Sequence, residues 1–407
     1  MVATPPPSGF LCLPSPKDRT ALRLRRKVRL LAVRTLLTAP TIGLPTAHVR
    51  ALSAARAFVT DSLSTAPEEV LTAVGSPDVL PSLLAWASGA EAPERCLDAV
   101  PHLLARLTAL GPATPLVWPG PIHSLSAHDA GPLWRPSAPT QAVLFARNQL
   151  EVQDASGPPR AWRDLGATGR TTPVAPSISL CTADTNPLAA LEAHPDKQGN
   201  AVRLGGHPVE AWGTALGEAL ALIDLLPSWR GELDALGVRL LPVGFEPERH
   251  LSASYREAPG IVYLTLHPSR LTLAEALVHE CQHGKLNLLT WLDPVLKNGQ
   301  TTWTPSPVRP DLRPLMGVLL AAHAFVPVAA LHVALEESDH PLTKTPTFGR
   351  RKAEVLSGNA RALEILDRLA EPTPTGRRVL DALHALHTWA ANRASASELE
   401  HQNLPPG

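Results

Sequence analysis

The sequence predicts an α+β protein that is predominantly helical, with a metal-binding helix packed against further C-terminal helices and a small sheet. Long Ala/Leu-rich stretches with helical periodicity lie towards both ends of the chain. Between them are strand-like runs such as Ile261–Leu266. Immediately after that run, residues 271–292 read as a helix that contains the motif H-E-x-x-H. With 44% apolar residues in a chain of 407, a sizeable hydrophobic core can form.

The composition excludes several classes of protein. Lys+Arg and Asp+Glu both number 37, so no global electrostatic field favours nucleic acid or an anionic membrane. The four cysteines are scattered without a C-x-x-C pair, which argues against a zinc ribbon or a disulfide framework. The N-terminus lacks the pattern of a secretory signal, and no apolar run is long enough to predict a membrane span. We therefore expect a soluble, cytoplasmic protein, and its richness in Ala, Leu, Pro and Arg suggests a bacterial source.

Residues 1–175 are predicted to form a mainly helical N-terminal region with a Pro-rich connecting segment. Residues 17–37 combine helical periodicity with many arginines, which we interpret as a solvated basic face rather than a docking helix for nucleic acid or a leader peptide. Helical segments continue to residue 110, after which prolines and glycines recur. In this later part, Gln141–Ala146 and Leu150–Ala155 predict a β-hairpin.

Residues 176–407 are predicted to form the H-E-x-x-H metal-dependent catalytic domain. Val238–Gly244 and Ile261–Leu266 read as strands, and the second is a candidate, by analogy only, for the strand that borders the substrate cleft beside such helices. A long apolar helix follows the motif. Two amphipathic helices, 350–369 and 376–392, are predicted to finish the fold.

The motif places His279 and His283 on one face of a helix, because residues four apart lie one above the other. Two imidazoles in this arrangement can bind one metal ion, with Glu280 beside them. Thr272 and Glu275 form a T-x-x-E pattern that predicts a capping box at the start of the helix. The sequence therefore predicts a metal site here.

The third metal ligand has two sets of candidates downstream of the motif. His323 lies in the middle of an otherwise apolar helix, and Pro327 leaves its carbonyl without the usual helical N–H partner. That predicts a kink beside the proposed ligand, and irregular helices often mark functional sites. The other candidates are Glu336 and Glu337, since some zinc peptidases with this motif take a glutamate from a downstream helix. We favour His323 and keep the glutamates as the alternative.

The same ligands support two chemistries. With Zn²⁺, Glu280 would act as a general base on metal-bound water and the protein would cleave peptide bonds. With Fe(II), three protein ligands on one face leave positions for a chelating cosubstrate and O₂, and Glu280 need not transfer protons. If the cosubstrate is 2-oxoglutarate, its distal carboxylate needs a cation, for which Arg309 and Arg313 are candidates because guanidinium pairs with carboxylates bidentately. Lys285 is a third nearby cation, although its helical position turns it away from the metal.

Four segments of the chain resemble one bacterial family, and they lie in the same order between residues 188 and 330. They read HPDKQGNAVRLGG, SASYREAPG, LVHECQHGKL and RPDLRPLMGVLLAAHAF. The family is the H-E-x-x-H-motif family of peptide-modification proteins that accompany ribosomally made peptide natural products. Its members are regarded as iron- and 2-oxoglutarate-dependent peptide β-hydroxylases. Many of them read Y-A-H where this chain reads H-A-F at residues 323–325.

The resemblance implies that His279, His283 and His323 bind Fe(II) and that residues 309–313 contact 2-oxoglutarate. We therefore expect an oxygenase that uses Fe(II), 2-oxoglutarate and O₂ to hydroxylate the β-carbon of a residue in a ribosomally made precursor peptide. A zinc metallopeptidase that processes such a peptide is the first alternative. The second is a non-catalytic protein that binds the precursor peptide and retains a structural or vestigial metal site.

Overall fold

Helices form most of the structure, a computed structural model that describes residues 5–112, 114–128, 130–135, 140–154, 157–184, 186, 202–306 and 311–402. In chain order the α-helices are α1 (Thr20–Thr38), α2 (Thr46–Thr65), α3 (Pro67–Val74), α4 (Leu80–Ser88), α5 (Pro93–Cys96), α6 (Ala99–Arg106), α7 (Val209–Ile223), α8 (Pro227–Leu236), α9 (Arg270–Thr290), α10 (Leu315–Glu337), α11 (Pro346–Leu369) and α12 (Pro374–Gln402). The prediction of a predominantly helical α+β fold is confirmed.

The strands are short and form small sheets. They are β1 (Leu116–Pro119), β2 (Gly131–Leu133), β3 (Thr140–Ala146), β4 (Gln149–Asp154), β5 (Arg160–Ala161), β6 (Gly169–Ala175), β7 (Ile178–Cys181), β8 (Val238–Phe245), β9 (Ser252–Ala253), β10 (Ile261–Leu266), β11 (Trp303–Pro305) and β12 (Leu312–Pro314). The predicted hairpin is confirmed as the antiparallel pair β3–β4, which lies inside a four-stranded sheet of order β1-β3-β4-β5.

A six-stranded sheet of order β2-β6-β7-β8-β10-β9 supports the motif helix. Strands β7, β8 and β10 run parallel, and every residue of β10 is buried, as expected for an inner strand covered on both faces. The chain passes from β10 directly into α9. The predicted division at residue 175 falls inside this sheet, between β6 and β7, so the regions 1–175 and 176–407 share its strands and one continuous hydrophobic core.

The C-terminal helices pack around α10, which contacts α9, α11 and α12. Of the helices in the described part of the chain, α10 alone is long and apolar enough to span a membrane by composition. Most of it is buried inside the protein, as in the core helix of a soluble fold. Because α10 is apolar on all sides, its sequence does not reveal which face meets α9.

The arginine-rich helix α1 is tied to the body of the protein. The guanidinium of Arg25 donates to the backbone carbonyls of Ala235 and Leu236, at the end of α8. That of Arg26 forms an exposed ion pair with Glu68 on α3. At least part of the predicted basic face therefore fixes α1 against neighbouring helices.

Candidate metal centre

The motif helix α9 starts one turn earlier than the capping pattern predicts. It begins at Arg270, and the hydroxyl of Ser269 accepts a hydrogen bond from the backbone N–H of Thr272 at 3.2 Å. The predicted capping box of Thr272 and Glu275 is therefore wrong, because Ser269 already supplies the N-terminal cap.

Glu275 instead ties α9 to two later helices. Its Oε1 lies 2.7 Å from Nε2 of His332 on α10, and its Oε2 accepts a hydrogen bond of 2.8 Å from Nε of Arg351 on α11. Burial alone would raise the pKa of Glu275, but these two partners hold it below its usual value. Glu275 is thus a charged side chain that fixes α10 and α11 against the motif helix α9.

His279 and His283 lie together as the motif predicts. Their ring centroids are 4.3 Å apart with an interplanar angle of 85°. Both rings line a cavity, whereas both Nδ1 atoms are sealed from solvent and have no hydrogen-bond partner among the described residues. Loss of hydration lowers the pKa of each imidazole, and for His279 the nearby His283 lowers it further. The rings are therefore neutral at pH 7, which is the form that binds metals.

Glu280 is clamped by two serines. Ser252 donates to its Oε1 at 2.6 Å, and Ser254 donates to its Oε2 at 2.7 Å, while the residue as a whole is only 2% exposed. Ser252 belongs to β9, the edge strand that pairs with β10. The strand that borders the cavity of the motif histidines is therefore β9. Strand β10 contributes Ile261 and Val262 to a neighbouring cavity that Glu280 also lines, so its role at a substrate cleft stays a prediction.

The cavity is an open cleft of about 1060 Å³, lined by β9 and its flanking loop together with α9, α10 and α11. This is slightly above the usual range of about 300–1,000 Å³ for small-molecule sites. Its polar and aromatic lining includes the side chains of His250, His279, Glu280, His283, Arg313, Phe325 and Arg351. The cavity thus has room for a metal ion, a small cosubstrate and part of a larger substrate.

Of the three predicted cosubstrate cations, the structure brings Arg313 to this cavity. Its guanidinium pairs with Asp311 at 2.8 Å, and its side chain is about one-third exposed. Lys285 is not brought there: its Nζ donates to the carbonyl of Cys12 at 2.8 Å and pairs with Glu232 at 2.7 Å. Arg309 lies outside the described residues. So do residues 187–201, which include most of the HPDKQGNAVRLGG segment.

The structure does not bring His323 to the motif histidines. Its Nε2 lies 2.9 Å from the carbonyl oxygen of Leu11 and donates to it, and the side chain is fully buried. Burial is the main cause that lowers its pKa to about 3. The helix continues through Pro327 without interruption. As placed, His323 secures the N-terminal segment in the core together with Gln282, which donates to the carbonyl of Cys12 at 3.1 Å.

Phe325 occupies the position on α10 that faces the motif. Its ring centroid is 4.5 Å from that of His279. This is the position at which the Y-A-H pattern of the resembling family has its histidine. The alternative ligands are engaged elsewhere: Glu336 accepts from Nζ of Lys352 at 2.6 and 2.8 Å, and Glu337 accepts from Nε of Arg393 at 2.8 Å.

As they stand, no three histidine, cysteine, aspartate or glutamate side chains of the described ranges converge closely enough to hold a metal ion. A metal ion bound by the two motif imidazoles would take its third ligand from a side chain that moves or from outside the protein. Sequence reasoning missed several residues of the site, namely His250, Ser252, Ser254, Phe325 as a cavity residue and Arg351. The stretch SASYREAPG pointed to the two serines only as part of a family pattern.

No protein-family model matches the chain, and a search of curated proteins finds no match either.

Proposed function

We propose that the protein is an Fe(II)- and 2-oxoglutarate-dependent oxygenase that hydroxylates the β-carbon of a residue in a ribosomally made precursor peptide. The observation that carries the proposal is the pair His279 and His283, two neutral imidazoles packed edge to face on a cavity of about 1060 Å³ that Arg313 also lines. Imidazole suits iron and zinc alike, so the pair fits the metal that the motif predicts.

Fe(II) bound by His279 and His283 would supply the activation of O₂ and 2-oxoglutarate, with succinate and CO₂ as by-products. The protein's own part is to hold the reactants. Arg313 is suited to the distal carboxylate of 2-oxoglutarate, since guanidinium offers two parallel N–H donors. Its present partner, Asp311, has a half-exposed side chain and can be exchanged for the cosubstrate at little cost.

Glu280 favours the oxygenase over the metallopeptidase. A general base must reach the water that it deprotonates. Both carboxylate oxygens of Glu280 already accept short hydrogen bonds from Ser252 and Ser254. In our proposal this carboxylate fixes the β9 edge of the cavity against α9, so that a peptide entering from that side meets a rigid wall.

The proposed substrate and compartment are consistent with the remaining features. The cavity is too large for a metal and 2-oxoglutarate alone, which leaves space for a peptide side chain and its backbone. All four cysteines are free thiols, as is usual in the reducing cytoplasm where such a precursor would be made.

The test is the mass of the precursor peptide encoded beside the gene. Anaerobically purified protein is incubated with Fe(II), 2-oxoglutarate and this peptide, and then exposed to air. We expect a gain of one oxygen atom, with one succinate formed per hydroxylation, and neither product from the His283→Ala variant. Cleavage fragments formed with Zn²⁺ alone would overturn the proposal in favour of the metallopeptidase. A peptide that binds tightly but is unchanged under both conditions would favour the non-catalytic binding protein.

A further inference from the structure

His250 lies on the same cavity as the motif histidines, in the loop between β8 and β9. It belongs to a different element of the cavity wall from α10, on which Phe325 and His323 offer no ligand. We propose that His250 is the third protein ligand of the metal ion held by His279 and His283. This inference rests on the proposed metal site and adds the residue that completes it.

The hydrogen bonds around His250 fix which ring nitrogen is free to bind a metal. Its Nδ1 lies 3.3 Å from the hydroxyl oxygen of Thr265. That hydroxyl donates its one hydrogen to the carbonyl of Leu251 at 3.2 Å and also accepts from the N–H of Leu251 at 3.0 Å. When this hydroxyl donates to the carbonyl of Leu251, Nδ1 of His250 is the donor to Thr265. In this tautomer the lone pair of the neutral ring lies on Nε2.

That lone pair has no partner within the described part of the chain, although Nε2 is sealed from solvent. A buried acceptor without a donor loses its hydration without compensation, which costs about 1–3 kcal/mol. Metal-binding histidines commonly show this arrangement, in which one ring nitrogen donates to a neighbouring oxygen and thereby orients the other towards the ion. The Nδ1 contact with Thr265 and the buried Nε2 of His250 thus match the arrangement of a metal-binding histidine.

His250 and the motif pair line one cavity, which places the three rings around the same space. Burial is the main cause that lowers the pKa of His250 to about 4, so its ring is neutral at pH 7. Since metal–imidazole bonds are about 2.0–2.1 Å long, the three Nε2 atoms must draw together when the ion binds. His250 is half-buried on a loop, so it is the ligand that can make this movement.

A site with three neutral imidazoles would have a distinct preference for cosubstrate. It leaves the full 2+ charge of the ion uncompensated by the protein, whereas two histidines and one carboxylate would neutralise half of it. Such a centre favours a dianionic chelating ligand, the chemical class to which 2-oxoglutarate belongs. With His250 as the third neutral ligand, the site would therefore favour the dianionic 2-oxoglutarate that we propose as cosubstrate.

The test is Co(II) binding by the metal-free full chain, followed by calorimetry and by the visible absorption bands of the bound ion. We expect the wild type to bind one Co(II), and His250→Ala to bind it at least about 100-fold more weakly, since even outer-shell changes cost 10- to 100-fold. His250→Asp should restore most of the affinity, because a carboxylate can replace the imidazole as a ligand. The matched control is His267→Ala, which removes the ring whose centroid lies 6.1 Å from that of His250 in an edge-to-face contact, and this variant should bind Co(II) normally.

The possible outcomes separate the two proposals. If the wild type and a folded His250→Ala variant bind Co(II) with equal affinity and equal spectra, His250 is not a ligand and the inference is overturned, while the two-histidine site stands. If the wild type binds no Co(II), the metal site of the proposed function fails together with the inference. Equal weakening by His250→Ala and His267→Ala would also overturn it, because the effect would then come from the loop and not from a ligand.

Discussion

The ring of Phe325 lies against the ring of His279, with the centroids 4.5 Å apart and the planes at 64°. Phe325 is therefore the residue through which α10 faces the metal-binding helix. Phe325 also contacts a cation, because the guanidinium carbon of Arg351 lies 5.7 Å from the centroid of the Phe325 ring. On this side the proposed metal meets an aromatic wall and a cation in place of a third ligand.

This contact predicts a gain of function. Phe325→His would place an imidazole beside His279, and we expect it to strengthen Co(II) binding about tenfold or more, equivalent to at least ~1.4 kcal/mol. Phe325→Leu is the matched control, since it removes the aromatic ring without adding a ligand, and should leave affinity within about threefold of the wild type. Calorimetric titration measures both. An unchanged affinity for Phe325→His would mean that the ion binds away from α10.

His323 is predicted to matter for stability and not for metal binding. His323→Ala leaves the carbonyl of Leu11 without its donor in the core, which should lower the free energy of unfolding by about 1–3 kcal/mol. His323→Gln can still donate to that carbonyl and should recover part of the loss. Urea unfolding gives the stability, and Co(II) titration of the folded variants gives the affinity. If both variants fold but lose the metal, His323 is a ligand after all.

The contrast between residues 323 and 325 shows where sequence reasoning stops. The H-E-x-x-H helix, the hairpin β3–β4 and the strand β10 follow from local periodicity, and the structure contains all three. Residues two apart on a helix point about 200° away from each other, so only one of positions 323 and 325 can face the motif. Since α10 is buried on nearly every side, no polar stripe indicates which one it is.

Other parts of the site depend on contacts that are distant in sequence. Glu275 finds its partners 57 and 76 residues downstream, and Lys285 finds a backbone carbonyl 273 residues upstream. No local pattern carries such information. A glutamate three residues after a threonine therefore resembled a capping box, and a lysine two residues after a predicted ligand resembled a cosubstrate contact.

Lys285 gives a third prediction. Its ammonium is 2% exposed and pairs with Glu232, so Lys285→Ala leaves a buried carboxylate without its cation. We expect a loss of about 3–5 kcal/mol in the free energy of unfolding. The double variant Lys285→Met with Glu232→Gln removes both charges and should be more stable than Lys285→Ala. A stable Lys285→Ala protein with a raised KM for 2-oxoglutarate would contradict this and return Lys285 to the cosubstrate site.

The variant Glu280→Gln distinguishes the proposed oxygenase from a zinc metallopeptidase. Glu280→Gln keeps the shape of the side chain but removes its basicity. General acid–base catalysis contributes about 10²–10⁴ in rate, so a metallopeptidase should lose at least about 100-fold in kcat. For the proposed oxygenase we expect a loss of less than about tenfold, because the glutamine can still accept from one of Ser252 and Ser254. The control is Ser252→Ala, which removes one clamp and leaves the carboxylate.

The buried histidines predict that the metal-free protein loses stability in mild acid. The pKa values of His102, His250, His279, His283 and His323 are all lowered, in each case chiefly by burial. Below their ordinary value of 6.5 the unfolded chain takes up protons that the folded chain does not, so stability falls as the pH falls. For each histidine the loss is at most about 1.4 kcal/mol per pH unit. For each histidine the loss of stability ends when the pH falls to the pKa of the folded state. That pKa is about 4 for His102 and His250 and about 3 for His323.

Urea unfolding of metal-free protein between pH 7.5 and 5 measures this slope. The window lies above the ordinary values of aspartate and glutamate, so histidines dominate it. Co(II) should make the decline steeper at a fixed concentration, because protons compete with the metal for the same nitrogens. His102→Asn removes one buried imidazole that does not line the cavity of the proposed metal site, and should reduce the slope by up to about 1.4 kcal/mol per pH unit. A free energy of unfolding that stays constant from pH 6.5 to 5 would show that these rings are protonated without penalty in the folded protein, and that their burial does not keep them neutral for a metal.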